Sequence, residues 1–219
     1  MRIDPLLFSL TTKPAFIAFE GINGCGKTTL HRKVSEFLRS QRVPVVDTRE
    51  PGGTALGLEV RKLLLEWQGE KKCDRAELLL FAADRAEHVE KVIRPSLAAG
   101  SWVLSDRYIY STITFQGHGR GIPRTWLDQA NNLATQGLEP DLVVLLDLDP
   151  VTALQRIATR TGNGKDNFED EHIEFHSRIR QGFLECALQS STPFLVLDAS
   201  LSPEELAHST IKALAAPHT

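Results

Sequence analysis

The chain has 219 residues, of which 42% are hydrophobic and 24% charged, the composition of an ordinary globular protein. Its formal net charge of −3 disfavours a dedicated nucleic-acid binder, because such proteins usually carry a strong basic excess. Cys25, Cys73 and Cys186 form no CxxC pair, which disfavours disulfide scaffolds and zinc sites and favours a reducing, cytoplasmic compartment. No apolar run approaches the roughly 20 residues that a membrane span needs, so we expect no membrane partner.

The N-terminal residues 1–14 are predicted to be an extension outside the folded unit. Asp4 and Pro5 stand close to a short apolar patch there, and no small-residue cleavage site follows, which is untypical of a signal peptide. Residues 15–215 are predicted to form one domain, since they contain no linker, repeat or low-complexity run.

Short apolar runs alternate with longer helical patterns in this domain. The runs are rich in aliphatic or aromatic residues and bounded by polar or turn residues, as buried strands are. The five predicted strands are residues 15–19, 43–47, 102–105, 142–148 and 194–198. Helices are predicted near residues 28–40 and from about Arg75 to Leu97, with a stop at Gly100. This alternation predicts an α/β fold in which helices cover both faces of a parallel sheet.

A glycine-rich stretch, GINGCGKT (residues 21–28), lies between the first predicted strand and helix and fits the pattern G-x-x-x-x-G-K-[ST]. In such a phosphate-binding loop (P-loop), backbone N–H groups and a helix N-terminus form a concave site for nucleotide phosphates. We expect Lys27 to reach the β- and γ-phosphate oxygens and the Thr28 hydroxyl to ligate Mg²⁺. The predicted nucleotide-binding residues are Gly21, Ile22, Asn23, Gly24, Cys25, Gly26, Lys27, Thr28 and Thr29.

The third predicted strand ends in a second polar stretch, SDRYIYST. Beside the P-loop, the carboxylate of Asp106 could help to place Mg²⁺, and Arg107 could clamp a second anion. The alternative is a structural ion pair between these two residues. Thr112 and Gln116 lie four residues apart next to Phe115, so a helix here would present two polar tips and a ring together.

Five collinear segments resemble the thymidylate kinase family of nucleoside monophosphate kinases. They are FEGINGCGKTT (19–29), TREPGGT (48–54), LLLFAADRAEH (78–88), SDRYIYSTITFQG (105–117) and PDLVVLLDLDP (140–150). The first two resemble the bacterial type, whose transferring arginine lies in a lid. The resemblance implies a P-loop NTPase fold with a five-stranded parallel sheet and a short lid at about residues 156–170. It also implies Mg²⁺-dependent phosphoryl transfer from ATP to dTMP, giving dTDP, by a cytoplasmic homodimer.

The resemblance also implies roles for residues of the acceptor site. Phe81 and Arg85, four residues apart on one predicted helix, would stack on thymine and hydrogen-bond its O4; the alternatives are a core ring and a solvated charge. Arg107 and Arg61 would hold the 5′-phosphate, and Gln116 would meet the N3 edge of the base. The implied substrate-binding residues are Glu50, Pro51, Arg61, Phe81, Arg85, Arg107, Ser111, Thr112, Phe115 and Gln116.

Glu50 is expected to orient arginines or the metal, whose ligands are predicted to be Thr28 and Asp106. Asp84 is expected to be only a solvated neighbour of Arg85. The predicted catalytic residues are Lys27, Arg107 and a lid arginine, with Arg160 as first candidate and Arg156 as second.

Three departures from the family pattern keep other functions open. Asn23 replaces an acidic residue, Phe115 stands where a tyrosine is usual, and the lid sequence DNFE (166–169) lacks the arginine of the D-R-x-E pattern. One alternative is a kinase for another pyrimidine deoxynucleoside monophosphate, such as dUMP or a modified base. The other is a weakly active nucleotide-binding adaptor.

Overall fold

The computed structural model describes residues 13–159, 168 and 171–215. Within these residues a single parallel sheet has the strand order β2-β3-β1-β4-β5, so the predicted five-stranded parallel sheet is confirmed. The strands are β1 (Phe16–Glu20), β2 (Val45–Arg49), β3 (Trp102–Asp106), β4 (Leu142–Asp147) and β5 (Phe194–Asp198).

The second strand begins and ends two residues later than predicted. Pro44 has no N–H group to donate and lies just before the strand, where its carbonyl oxygen accepts a hydrogen bond from the Trp102 N–H at 2.8 Å. The ladder then continues until Arg49 lies opposite Asp106. Hydrophobicity alone missed this polar end of β2, which reaches the carboxyl edge of the sheet.

Helices connect the strands. They are α1 (Lys27–Ser40), α2 (Ala55–Leu65), α3 (Asp74–His88), α4 (Arg94–Ala98), α5 (Ile109–Thr112), α6 (Arg124–Thr135), α7 (Pro150–Thr159), α8 (Ile173–Gln189) and α9 (Pro203–Ala215). The predicted first helix is confirmed as α1. The predicted long helix is confirmed as α3 and α4, joined by a π-helical turn (Val89–Ile93), and it stops at Gly100, whose φ of 84° suits a residue without a side chain.

A second π-helical stretch, the π-segment (Ile113–Gly119), continues α5. The predicted pair of Thr112 and Gln116 spans α5 and the π-segment, so a helix does form here, although from Ile113 onward its hydrogen bonding is of the π type. Such segments are rare and occur often at functional sites.

Helices cover both faces of the sheet, as predicted. Every residue of β1 is buried. The ring of Phe19 stacks on His31 of α1, with centroids 5.1 Å apart. Phe16, three residues earlier and therefore on the opposite face, contacts the Tyr108 ring edge to face at 4.8 Å. Burial on both faces fixes the position of β1 and of the loop that follows it.

Asp84 corrects a prediction, because its side chain is buried and not solvated. The residue is 1% exposed on α3, beneath the loop that follows β2. Its Oδ1 atom accepts the N–H of Gly52 at 2.9 Å, whereas Oδ2 has no hydrogen-bond partner. Burial, followed by the nearby charge of Glu50, raises the pKa of Asp84 to about 6. Asp84 therefore changes its charge close to neutral pH.

The raised pKa makes Asp84 a source of pH-dependent stability. Because its pKa lies above the ordinary value of 3.8, the folded state binds the proton more tightly, and this contribution is lost as the pH rises through about 6. We expect Asp84→Asn to increase the free energy of unfolding more at pH 8 than at pH 4.5. In urea titrations, the gain in the free energy of unfolding caused by Asp84→Asn should be larger at pH 8 than at pH 4.5 by about 1–3 kcal/mol. Glu70→Gln, at an exposed site, is the matched control, and a pH-independent effect of Asp84→Asn would contradict the assignment.

Candidate active site

A cavity of about 840 Å³ opens at the carboxyl edge of the sheet, where ligand sites of open parallel sheets lie. Most of the predicted site residues line it. These are Asn23, Gly24, Gly26, Lys27, Thr28, Thr29, Glu50, Pro51, Arg61, Phe81, Asp106, Arg107, Ser111, Thr112, Phe115 and Gln116. Gly21, Ile22, Cys25 and Arg85 were also predicted but do not line the cavity, and Arg160 lies outside the described residues.

The P-loop packs closely against α7, and it also lines the cavity. Gly24 has a φ of 79°, and a Cβ atom there would lie 2.5 Å from the carbonyl oxygen of Ala153. Gly26, with a φ of 101°, is the N-cap of α1. Cys25 is buried, as expected for a small residue tolerated in a tight loop. The loop therefore needs glycine for both conformation and space.

Two cations of the site share one acceptor. The Nζ atom of Lys27 donates to the carbonyl oxygens of Gly21 at 3.1 Å and Ile22 at 3.0 Å. The Nη1 atom of Arg107 donates to the same Gly21 oxygen at 3.0 Å. The two nitrogen atoms therefore lie no more than about 6 Å apart. An ammonium and a guanidinium this close form a site for two negatively charged groups that meet end to end.

The Thr28 hydroxyl and the Asp106 carboxylate lie side by side, with Oγ1 donating to Oδ2 at 3.0 Å. Hydroxyl and carboxylate oxygens are the hard ligands that Mg²⁺ takes, usually one or two from the protein beside water and phosphate oxygens. The donor set therefore fits Mg²⁺. Asp106 and Arg107 have separate partners, which argues against the alternative of a structural ion pair between them.

Arg107 is held in an unusual backbone conformation. Its φ of 79° lies in the left-handed region, which costs energy for a residue with a side chain. The guanidinium donates to Ser111 Oγ at 2.9 Å and to Asn23 Oδ1, and its central carbon lies 4.9 Å from the centre of the Phe115 ring. Neutral oxygens and a ring thus contact Arg107 directly, whereas the carboxylate of Glu20 lies further away, at 3.9 Å.

Glu20 supports this conformation, and sequence reasoning assigned it no role. Its Oε1 atom accepts the N–H groups of Tyr108 at 2.9 Å and Ser111 at 3.0 Å, and its Oε2 atom accepts the Ser111 hydroxyl at 2.6 Å. The side chain is fully buried, and this burial raises the pKa of Glu20 above its ordinary value. Arg107 at 3.9 Å and these hydrogen bonds lower the pKa, but by less than burial raises it. The sequence did contain a signal for this role, because Glu20 is the single charged residue of an otherwise apolar strand and directly precedes the P-loop.

Arg85 lies behind the cavity wall and is only 1% exposed, so the alternative of a solvated helix charge is wrong. Its Nε donates to Glu50 at 2.8 Å, Nη1 to Thr112 at 2.8 Å and to Asn131 at 2.7 Å, and Nη2 to the Tyr108 carbonyl at 3.0 Å. A guanidinium has five N–H groups, so one on Nη2 is left for a further acceptor. Hydrogen bonding of Arg85 to a base therefore stays a prediction.

Glu50 orients an arginine, one of its two expected roles. Besides Arg85, it contacts His88, whose Nδ1 lies 2.9 Å from Glu50 Oε1 and whose Nε2 lies 2.6 Å from Thr48 Oγ1. On the same loop, the carbonyl oxygen of Pro51 accepts a hydrogen bond from Arg61 at 2.9 Å. Two arginines are thus positioned from one loop, Arg85 behind the wall and Arg61 on it.

Aromatic rings form the other end of the cavity. The ring centroid of Phe168 lies 6.1 Å from that of Phe81 and 5.6 Å from that of Phe115. Together these rings provide an apolar surface opposite the charged P-loop end. Of the two arginines proposed for the lid, Arg156 lines the cavity from α7, whereas most of the predicted lid falls outside the described residues.

Comparison with known proteins agrees with this geometry. The family model described as thymidylate kinase matches residues 19–211. A thymidylate kinase of Nostoc punctiforme is 48% identical over 191 residues, 86% of this chain and 89% of that protein. One of Syntrophus aciditrophicus is 45% identical over 190 residues, 84% and 87% of the two chains. The crystal structure of thymidylate kinase from Ehrlichia chaffeensis superposes with a TM-score of 0.74 at 35% identity, covering 92% of this chain and 99% of that one. The chain therefore belongs to the thymidylate kinase family.

Proposed function

We propose that this protein transfers the γ-phosphoryl group of ATP to dTMP, forming dTDP. The observation that carries the proposal is the Gly21 carbonyl oxygen, which holds a P-loop lysine and Arg107 no more than about 6 Å apart. A kinase that transfers a phosphoryl group between two nucleotides must bring their phosphate groups together and offset the repulsion between them. The aromatic end of the same cavity supplies the surface that a nucleobase needs.

Positioning and charge neutralisation account for the chemistry. The acceptor is a phosphate oxygen, which is already a nucleophile at neutral pH, so no general base is required. The difficulty is the repulsion between two polyanions, which Lys27 offsets at the donor phosphates and Arg107 offsets at the acceptor phosphate. Lys27 and Arg107 donate directly to neutral oxygens, while the carboxylate of Glu20 lies 3.9 Å from Arg107, so each cation can exchange a carbonyl or amide oxygen for a phosphate oxygen.

Thr28 and Asp106 would hold Mg²⁺ beside the P-loop. When bound, the ion neutralises charge on the donor phosphates. A further cation would come from α7 or the segment that follows it, and an arginine at such a position is worth about 10³-fold or more in rate in related enzymes. Arg156 has the support of its place on the cavity, while Arg160 remains a prediction from the sequence.

The acceptor nucleotide would lie between the rings and the arginines. Phe81 would stack on thymine, and the remaining N–H of Arg85 would donate to the O4 atom. Arg61 would assist Arg107 at the 5′-phosphate, and the Phe115 ring would stand against the sugar, where it leaves no room for a 2′-hydroxyl. Ser111, Thr112 and Gln116 complete this side of the proposed site.

We also propose that the protein is a homodimer. Leu56 on α2 and Leu133 on α6 are 51% and 82% exposed. Both border a largely apolar groove whose other lining residues are Ala83, Ala86, Val89 and Ala134, together with the polar Glu87, Glu90 and Gln136. Exposed apolar surface of this kind is typical of interfaces, and a second copy could cover it with the same surface.

The proposed compartment is the cytoplasm, and the proposed partners are the small molecules ATP and dTMP, with neither nucleic acid nor membrane. All three cysteines are free thiols. Among the helices of the described segments, none combines the length and apolarity needed to cross a bilayer. Free thiols agree with a reducing compartment.

A test of the function is product analysis with ATP and each of dTMP, dUMP, UMP and dCMP. We expect dTDP to form with the highest kcat/KM. Lys27→Ala should abolish transfer, because the donor phosphates lose their main protein cation, while dTMP binding measured by calorimetry stays close to that of the wild type. Faster turnover of another pyrimidine nucleotide, or almost no dTDP at saturating ATP, would refute the assignment in favour of the two alternatives.

Removal of the Phe81 ring, which is proposed to stack on the base, should weaken binding of the acceptor nucleotide without affecting binding of the donor. We expect Phe81→Ala to weaken dTMP binding by roughly 1–3 kcal/mol, the range for base–aromatic stacking, and to leave ATP binding unchanged. Leu79→Ala, on the same helix at a position 64% exposed, is the matched control. Equal losses for both nucleotides would point to misfolding and not to a lost stacking contact.

A charge placed in the apolar groove should separate the proposed dimer. We expect Leu133→Asp to be monomeric by light scattering at concentrations where the wild type is dimeric, because an aspartate would be desolvated at the interface. Leu188→Asp places the same charge at a leucine that is 87% exposed on α8, and it should remain dimeric. A monomeric wild type, or a dimeric Leu133→Asp variant, would rule out this interface.

A further inference from the structure

Gln116 has one hydrogen bond that decides which way its amide group faces. The residue lies on the π-segment, lines the cavity and is 1% exposed. Its Nε2 atom donates to Glu77 Oε1 at 2.9 Å. Glu77 is on α3, four residues before Phe81, so one helix carries both the ring proposed to stack on the base and the partner of the glutamine.

The two ends of an amide have opposite chemistry, and an isolated glutamine could present either end. The NH₂ group donates two hydrogen bonds, whereas the oxygen only accepts them. An ionised carboxylate only accepts, so the Gln116 NH₂ group must turn toward Glu77. The reverse orientation would bring two acceptors together in a buried place, which is costly. The Gln116 oxygen is therefore the end left for the cavity.

Arg120 forms an ion pair with the Glu77 carboxylate that accepts from Gln116. Its Nε and Nη2 atoms each lie 3.4 Å from a Glu77 oxygen, and its Nη1 atom pairs with Glu171. The guanidinium lies over the rings of Phe168 and Phe175, with its central carbon 5.3 Å and 4.8 Å from their centres. These contacts fix a cation beside Glu77 and shield the pair from solvent.

We propose that Glu77 is a specificity-determining residue, which acts by positioning the Gln116 oxygen toward the N3 edge of the bound base. This inference rests on the proposed function. Thymine carries an N–H at N3, which donates to such an oxygen. Cytosine carries a lone pair at N3, which opposes the oxygen and leaves both acceptors buried without a donor. Glu77 itself does not line the cavity.

Replacement of Glu77 by glutamine tests the inference. An amide at position 77 can either accept from or donate to Gln116, so both orientations of Gln116 become available. We expect Glu77→Gln to lower the ratio of kcat/KM for dTMP to that for dCMP by about 10-fold or more, the equivalent of one misplaced buried acceptor. The KM for ATP should not change. Where dCMP turnover is too slow to time, its inhibition constant against dTMP replaces its kcat/KM.

The matched control is Asp74→Asn, which removes a carboxylate from the same helix. Asp74 Oδ1 lies 4.0 Å from Arg120 Nε, and the side chain is 45% exposed. This variant should keep the wild-type ratio. An unchanged ratio in Glu77→Gln, or an equal loss in Asp74→Asn, would overturn the inference.

A double-variant experiment separates positioning from general damage. Gln116→Ala should lower the same ratio, and adding Glu77→Gln to Gln116→Ala should change it by less than about twofold, because no amide is left to orient. A further large loss in the double variant would overturn the proposal. If Glu77→Gln does not fold, as judged by circular dichroism, a wild-type ratio in Gln116→Ala alone would overturn it.

The outcomes for the two proposals differ. A wild-type protein that makes no dTDP refutes the proposed function. A wild-type protein that makes dTDP, with a selectivity that Glu77→Gln leaves intact, refutes only the role of Glu77.

Discussion

The Gly21 carbonyl oxygen is the contact on which the site depends, because it holds Lys27 and Arg107 together. Two positive groups so close repel each other, and neutral oxygens only partly offset that repulsion. Phosphate groups remove it when they bind. The electrostatic cost of assembling the pair is thus met during folding, so the arriving nucleotides find cations already in place.

Folding can hold this pair only because the backbone beneath it is fixed. Arg107 has a left-handed φ, and Glu20 accepts the N–H groups of Tyr108 and Ser111 that follow it. Glu20 is itself the last residue of β1, a strand buried on both faces. A strained residue is therefore attached to a strand that is buried along its whole length, as is common where strain serves function.

Local sequence patterns could predict the strands and the P-loop, since each depends on residues close together in the chain. Phe81 lines the cavity, but its place in the site was implied only by the family resemblance. The buried carboxylates that hold the site residues in position could not be predicted in this way. Glu20 binds Ser111 across 91 positions, and Glu77 binds Gln116 across 39. Asp84 was wrongly expected in solvent because helical spacing cannot say that a loop from β2 covers it. Such contacts depend on the order of the strands in the sheet, and the spacing of apolar residues along the chain does not reveal that order.

Three buried carboxylates each contact a neighbouring side chain of the site: Glu20 lies beside Arg107, Glu50 accepts from Arg85, and Glu77 accepts from Gln116. A carboxylate accepts several hydrogen bonds and donates none, so it can fix the donors of a neighbour and leave that neighbour's other atoms directed at the cavity. Direct contact with phosphate would be repulsive for the same groups. Glu20 and Glu77 do not line the cavity, whereas Glu50 does, with its carboxylate oxygens paired with Arg85 and His88. An anion-binding site can therefore be rich in acidic residues, because these carboxylates are paired with donors of the protein and act on substrate geometry through them.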